Sequence, residues 1–199
     1  GERIIVRQRR SLMHGSDALP PLELRSAVER ELEGVPLRDL RAAAERMTAA
    51  YRTQGAPGRP GGGSGPVDRL AYLAARMPAT YAATRAVLGE LRHRQPEFDA
   101  VSVLDLGAGP ATALWAASAE YASLARATHV ETDQGMAELG QRLLEATALG
   151  RRVHSTWCTA DVTHVGDLPR HDLVLVGYVL GELAPAARDR AVDAAWSAA

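Results

Sequence analysis

The chain has 199 residues, 46% of them hydrophobic and 24% charged, and a formal net charge of −1, an ordinary balance for a globular protein able to bury a core. No run of about 18 apolar residues occurs, so no membrane-spanning helix is expected, and the arginine-rich start has no apolar segment of a secretory signal. One cysteine, Cys158, excludes a disulfide framework or a cysteine-built metal site within this chain alone and points to a reducing cytoplasm.

All 23 basic residues are arginine, there is no lysine or asparagine, and isoleucine occurs only as Ile4 and Ile5, a pattern that GC-rich coding explains. Residues 1–19, which begin with Gly1 and hold both isoleucines, read as a tail or a cloning-derived segment. Residues 1–100 carry 16 Arg and 12 acids, residues 101–199 carry 7 Arg and 12 acids, so the first half is mildly basic and the second acidic. Solvated helical surfaces account for such an excess more readily than an RNA-binding face.

Residues 20–99 read as a helical region. Leu22, Leu24, Val28 and Leu32 recur at helical spacing until Gly34-Val35-Pro36 stops the run. A second helix fits Leu37–Thr53, with Leu40, Ala43, Ala44, Met47 and Tyr51 on one face. Residues 55–66 are too rich in glycine and proline to fold regularly and read as a linker or loop. A third helical stretch runs from Val67 to about Arg94 and is interrupted near Pro78, with Leu70, Leu73, Ala74, Met77, Tyr81, Val87, Leu88 and Leu91 as its apolar stripe.

The period changes at Ala100. Strands are expected at Val101–Leu106, Ala127–Glu131, Val153–Thr159 and Leu173–Gly177, with helices at Thr112–Tyr121, Gly135–Leu149 and Pro185–Ala198. This alternation predicts an α/β fold with a parallel sheet over residues 100–199.

The segment from Val103 to Ala113 fixes the ligand class. An apolar strand ends in Asp105, turns through Gly107, Ala108 and Gly109, and enters a helix at Pro110, a residue suited to the first helical turn. A nucleotide-type ligand would lie on this turn and on the helix N-terminus. A dinucleotide turn wants a third glycine or alanine where Thr112 stands, and Asp105 would repel a pyrophosphate, so a nicotinamide-dependent oxidoreductase is disfavoured.

The Asp105-x-Gly107-x-Gly109 arrangement resembles the first motif of class I S-adenosylmethionine-dependent methyltransferases, a Rossmann-like class. That resemblance implies strand order 3-2-1-4 and S-adenosylmethionine as cofactor. It assigns Asp105 to the methionine end, Gly107, Ala108 and Gly109 to close backbone approach, Glu131 rather than Asp133 to the ribose hydroxyls, and Asp161 to the adenine. Gly177 and Tyr178 would border the transferred methyl. No catalytic base can be named, and the six histidines show no metal-ligand spacing. Asp172 reads as a strand-start residue, and His154 and His171 as surface residues.

A narrower resemblance lies in Asp68–Ala83, Val87–Leu91, Leu104–Pro110 and Tyr178–Leu183. These segments look like the Rsm22 family, methyltransferase-like proteins associated with the small ribosomal subunit. The resemblance implies a role in ribosome assembly or translation with rRNA or the small subunit as partner, either as an RNA methyltransferase or as a non-catalytic factor that keeps the fold for binding. The arginines Arg25, Arg30, Arg38, Arg41, Arg46 and Arg52 lend the second reading support. Ala111 replaces a frequent glycine, so its methyl either crowds the cofactor or tightens helix packing. The family's later part, which in some members has cysteines suited to an iron–sulfur cluster, lies beyond this chain. Residues 100–199 are therefore expected to be a truncated domain whose Val174, Val176 and Val179 lack cover.

Overall fold

The computed structural model describes residues 19–53, 65–164 and 168–199. The expected tail, almost all of the glycine- and proline-rich loop, and the Tyr51 and Arg52 side chains lie outside the described residues.

Four helices come first: α1 (Leu22–Leu32), α2 (Leu37–Thr53), α3 (Pro66–Ala75) and α4 (Met77–Arg94). The expected interruption falls between α3 and α4, where Arg76 separates them and Pro78 sits in the first turn of α4, the place proline tolerates best. Of the apolar stripe, Leu73, Met77, Tyr81 and Leu88 are buried, Leu70 and Leu91 are partly so, and Ala74 and Val87 face solvent. On α2, Ala43 and Met47 close onto Ala71 of α3, with Leu40 and Ala44 at the margin.

The α/β part follows as β1 (Ser102–Leu106), α5 (Thr112–Glu120), β2 (Arg126–Glu131), α6 (Gln134–Glu145), α7 (Ala148–Arg152), β3 (His154–Thr159), β4 (Leu173–Leu175) and α8 (Pro185–Ser197). All strand pairs are parallel and the order is β3-β2-β1-β4, as expected. β1 is buried at all five positions, as a central strand covered on both faces must be. Val103, Ala127 and Leu173 join the core formed with α1 and α3–α6, while Leu104, Leu106 and Val130 join a second core with Ala191 and Ala198 at α8.

Three expectations need correction. The helix Gly135–Leu149 is two helices, because the Thr147 hydroxyl donates to the carbonyls of Leu143 and Leu144 at 3.2 and 2.8 Å and ends α6. Glu23 of α1 then accepts the Ala148 N–H at 2.8 Å and starts α7. The fourth strand stops at Leu175, two residues early. Val174, Val176 and Val179 do not lack cover, since Leu180, Leu183, Ala191 and Ala195 pack with them.

Asp172 is the strand-start residue expected. One carboxylate oxygen accepts the N–H groups of Val101 and Ser102 at 3.0 and 2.8 Å and the Ser102 hydroxyl at 2.8 Å. The Asp172 N–H donates back to that hydroxyl at 3.0 Å. His154 is exposed, whereas His171 is half-buried and bonds Thr128 Oγ1 at 3.0 Å.

Helix α6 lies close to the sheet because Gly140 has no side chain. A Cβ there would sit 2.6 Å from Trp157 Cη2 and 3.0 Å from the Pro110 backbone. Gly140→Ala is therefore expected to lower stability by about 1–2 kcal/mol despite alanine's better helix propensity, read as a lower urea midpoint with an unchanged slope.

Candidate functional site

The turn after β1 is built from left-handed backbone. Gly107 has φ 76°, Gly109 φ 54° and Ala111 φ 62°. Glycine adopts this conformation freely; for alanine it costs about 1 kcal/mol or more. Gly107 and Ala108 donate their N–H groups to the Val130 carbonyl at 2.8 and 3.0 Å, tying the turn to the end of β2. Ala111, the N-cap of α5, is fully buried in the core beside that helix. Its methyl therefore tightens packing, the second of the two alternatives the sequence left open.

The two glycines have different neighbours. A Cβ on Gly107 would collide with Cγ2 of Val179, so the loop after β4 rests on the turn. A Cβ on Gly109 would meet only Met136 Cγ, at 4.0 Å, which leaves its backbone open to a ligand. Gly177 is exposed, and nothing lies within 4 Å of where its Cβ would be.

Glu131 joins the turn from the end of β2. Its carboxylate accepts the Gly109 N–H at 2.7 Å and the Asp133 N–H at 2.8 Å. Asp133 is committed elsewhere. It caps α6 by accepting the Met136 N–H at 3.2 Å, and it pairs with Arg69 of α3 at 2.8 Å.

Asp105 lies deeper. It pairs in register with His129 on one side and Leu175 on the other, and His129 pairs with Trp157, so the four form a row across the sheet. Asp105 is 2% exposed and His129 0%. Asp105 Oδ2 and His129 Nδ1 face each other at 4.0 Å, and both lack hydrogen-bond partners among the described residues. The His129 ring stacks on Trp157 at 4.3 Å. Burial, and then the charge of Glu131, push the Asp105 carboxyl up to about 7, while burial holds His129 down at about 3. In mildly acidic solution the row thus holds a neutral acid beside a neutral imidazole.

Asp161 follows β3 and is exposed. Its carboxylate accepts the Thr163 N–H at 2.8 Å and the Thr163 hydroxyl at 2.7 Å, bonds that hold it below the usual carboxylate range. The structure thus brings Asp105, Gly107, Ala108, Gly109 and Glu131 together, whereas the Asp161 carboxylate bonds within its own loop.

Sequence reasoning missed Tyr72. Its hydroxyl bonds Thr80, and its pKa is raised by burial and then by the charges of Asp105, Glu131 and Glu182, so α3 and α4 meet the acidic side of the turn. The available signal was the Asp68–Ala83 segment, which the general methyltransferase motifs leave unexplained. On the first two helices Arg25, Arg30, Arg38, Arg41 and Arg46 are exposed, and Arg46 pairs with Asp68 at 2.7 Å. No group of three metal-ligating side chains and no helix able to span a membrane occurs among the described residues.

Comparison with known proteins places this geometry. Residues 66–199 match the family model described as mitochondrial small ribosomal subunit Rsm22. No curated protein matches the chain by sequence. Similar solved structures include a candidate O-methyltransferase from Nostoc punctiforme PCC 73102, with a TM-score of 0.53, 16% identity and coverage of 96% of this chain and 52% of that one. The S-adenosylmethionine-dependent methyltransferase SibL has a TM-score of 0.51 and 19% identity, over 88% of this chain and 51% of its own. An O-methyltransferase family protein from Burkholderia thailandensis has a TM-score of 0.51 and 12% identity, over 87% and 48%. These similarities show a Rossmann-like methyltransferase fold, and the chain spans about half the length of these structures.

Unfolded histidine takes up its proton near 6.5 and His129 only near 3, so the native state loses stability as pH falls through that window. The buried Asp105 acts in the opposite sense, because it holds its proton up to about 7 where an unfolded aspartate releases it near 3.8. Asp105→Asn removes the second slope. The thermal midpoint of that variant is expected to climb more steeply than the parent's between about pH 4 and 6.5. Parallel curves would contradict a protonated Asp105 in that window.

Proposed function

The chain belongs to the Rsm22 family, and from that membership together with the geometry of the turn we propose that it binds S-adenosylmethionine and acts on RNA, with small-subunit rRNA as the acceptor, in ribosome assembly or translation. The observation that carries the reading is the acidic character of the turn. Glu131 accepts the Gly109 N–H at 2.7 Å, and Asp105 lies beneath with a buried carboxylate oxygen that has no partner among the described residues. A pyrophosphate would be repelled, whereas S-adenosylmethionine brings a sulfonium and an ammonium group.

The residues fit such a cofactor. Asp105 has a buried carboxylate oxygen with no partner among the described residues, and the Gly109 backbone is open to close approach. In this reading Asp105 attracts the methionine end, and the Gly107–Gly109 backbone leaves room for the nucleoside. Glu131 takes the ribose hydroxyls, Asp161 turns from its loop to the adenine, and Gly177 borders the methyl. No side chain caps α5, so its first N–H groups suit the methionine carboxylate. Tyr72 of α3 and Thr80 of α4 border the site. When bound, the cofactor supplies an already activated methyl group, so the protein's task is alignment of the acceptor and exclusion of water. The single cysteine suits a reducing compartment, and we place the protein in the cytoplasm.

A non-catalytic assembly or translation factor is the second reading. It is favoured by one observation: among the described residues the histidine beside the turn, His129, is buried, and burial holds its imidazole so far below the usual range that it is a poor base. Transfer of labelled methyl from S-adenosylmethionine to small-subunit rRNA separates the two readings.

Calorimetry with S-adenosylmethionine is expected to give a saturable heat, and NAD none. Glu131→Ala should weaken binding by about tenfold or more, the value of a lost charge-assisted hydrogen bond. Affinity should rise with pH through about 7, as Asp105 becomes charged, and Asp105→Asn should abolish that rise. Absence of a saturable heat overturns the cofactor, and unchanged affinity in Glu131→Ala overturns the ribose assignment.

A further inference from the structure

We propose that His129 is the positioning residue of Asp105: its Nδ1–H, aimed at the buried Asp105 oxygen, holds the carboxylate in the charged form that a cation at the glycine turn needs. Cross-strand register sets the two residues opposite each other on β1 and β2, with Asp105 Oδ2 and His129 Nδ1 facing at 4.0 Å. Both atoms are enclosed and lack hydrogen-bond partners among the described residues. A polar atom buried in that state is costly. Packing alone does not call for it, since a phenylalanine would stack on Trp157 as well and leave no nitrogen unpaired. Two such atoms facing each other across one strand pair point to each other as partners.

The ring is held in this orientation. Trp157, its register partner on β3, stacks on it with ring centroids 4.3 Å apart. Trp157 is in turn pressed by α6, whose Gly140 leaves room for its Cη2. Ser155 Oγ lies 3.3 Å from His129 Nε2. A hydroxyl that donates there leaves the neutral ring's one hydrogen on Nδ1, toward Asp105. The opposite tautomer would set a bare nitrogen lone pair against the ionised carboxylate. The 4.0 Å gap is about 1 Å longer than a charge-assisted hydrogen bond, and in an enclosed layer an N–H dipole at that range already acts on a carboxylate.

The other charges near Asp105 oppose its ionisation. Glu131, at the end of β2, repels it, and Tyr72 of α3, on which Asp105, Glu131 and Glu182 all act, keeps its own proton. The ionisable groups of the covering helices are engaged elsewhere. Glu120 of α5 pairs with Arg85, Asp133 at the start of α6 with Arg69, and Arg142 with Glu31. Glu138 accepts from Gln134, and Glu145 acts on Arg142. Among the described residues His129 is therefore the group placed to favour the charged carboxylate. It does so as a neutral ring, since burial holds it at about 3.

This inference rests on the proposed function, in which Asp105 meets the cationic end of S-adenosylmethionine, but its test runs without that cofactor. The probe is the carbon-13 shift of the Asp105 carboxyl in the 199-residue chain, followed by NMR against pH and identified by its loss in Asp105→Asn. His129→Phe keeps the stacked ring and removes the N–H. Its carboxyl midpoint should climb from about 7 by about one pH unit or more, tenfold in proton affinity. His129→Asn gives up the stack but sets an amide N–H close to where Nδ1 stood, and its midpoint should stay within about half a unit of the parent's. A packing role alone would give the reverse, with the Asn variant moved and the Phe variant not. A Phe midpoint equal to the parent's overturns the proposal, as does an Asn midpoint that climbs as far as the Phe one. So does a nitrogen-15 spectrum of the parent at about pH 8 in which Nε2 of His129, not Nδ1, carries the hydrogen, a reading that needs no variant. A missing heat with S-adenosylmethionine would overturn the cofactor alone, because the carboxyl titration is read in its absence.

Discussion

Three left-handed residues within five positions, Gly107, Gly109 and Ala111, let the chain leave the central strand and enter α5 at once. Most other features of the site are consequences of that turn. With no side chain on Gly107, Val179 closes over it and draws the loop after β4 inward. The Gly109 N–H, turned toward β2, is taken by Glu131, and the two N–H groups before it by the Val130 carbonyl. Strands β1, β2 and β4 therefore deliver their ends to one place, and backbone geometry rather than side-chain reach brings them there.

The helical region is part of this arrangement. Arg69 of α3 grips Asp133, the residue that caps α6, and its guanidinium occupies the space that a Cβ on Gly135 would claim. Tyr72, one turn along α3, senses the carboxylates of the turn. Glu31 and Glu23 of α1 reach Arg142 and the start of α7. Elements more than 60 residues apart in sequence are thus joined by charge-assisted bonds at helix ends, where backbone groups otherwise lack partners.

What was legible in the sequence was local. The apolar run Val103–Leu106 followed by glycines and Pro110 specifies strand, turn and helix from neighbours alone, and the alternation after Ala100 specifies the parallel sheet and, through the resemblance, its order. The break between α6 and α7 was hidden, since it depends on the Thr147 hydroxyl and on a carboxylate from α1 that is 125 residues distant. The cover over Val174 and Val176 was hidden for a similar reason, because it depends on how α8 folds back. At the site, the glycines and Glu131 were found by position, but the depth of Asp105 and its neutral partner His129 were not. Strand residues one register apart carry no mutual signature in a linear text.

Asp172 has a consequence for how the sheet finds its alignment. In a hairpin the turn counts residues for both strands, but β1 and β4 are parallel and lie some 70 residues apart, so no turn can count for them. A single carboxylate that takes two successive backbone N–H groups and a hydroxyl does the counting instead. Sliding β4 by one residue would forfeit all three bonds and turn Leu173 and Leu175 to the opposite layer. The short edge strand behaves like a key with one tooth, able to enter the sheet at a single notch.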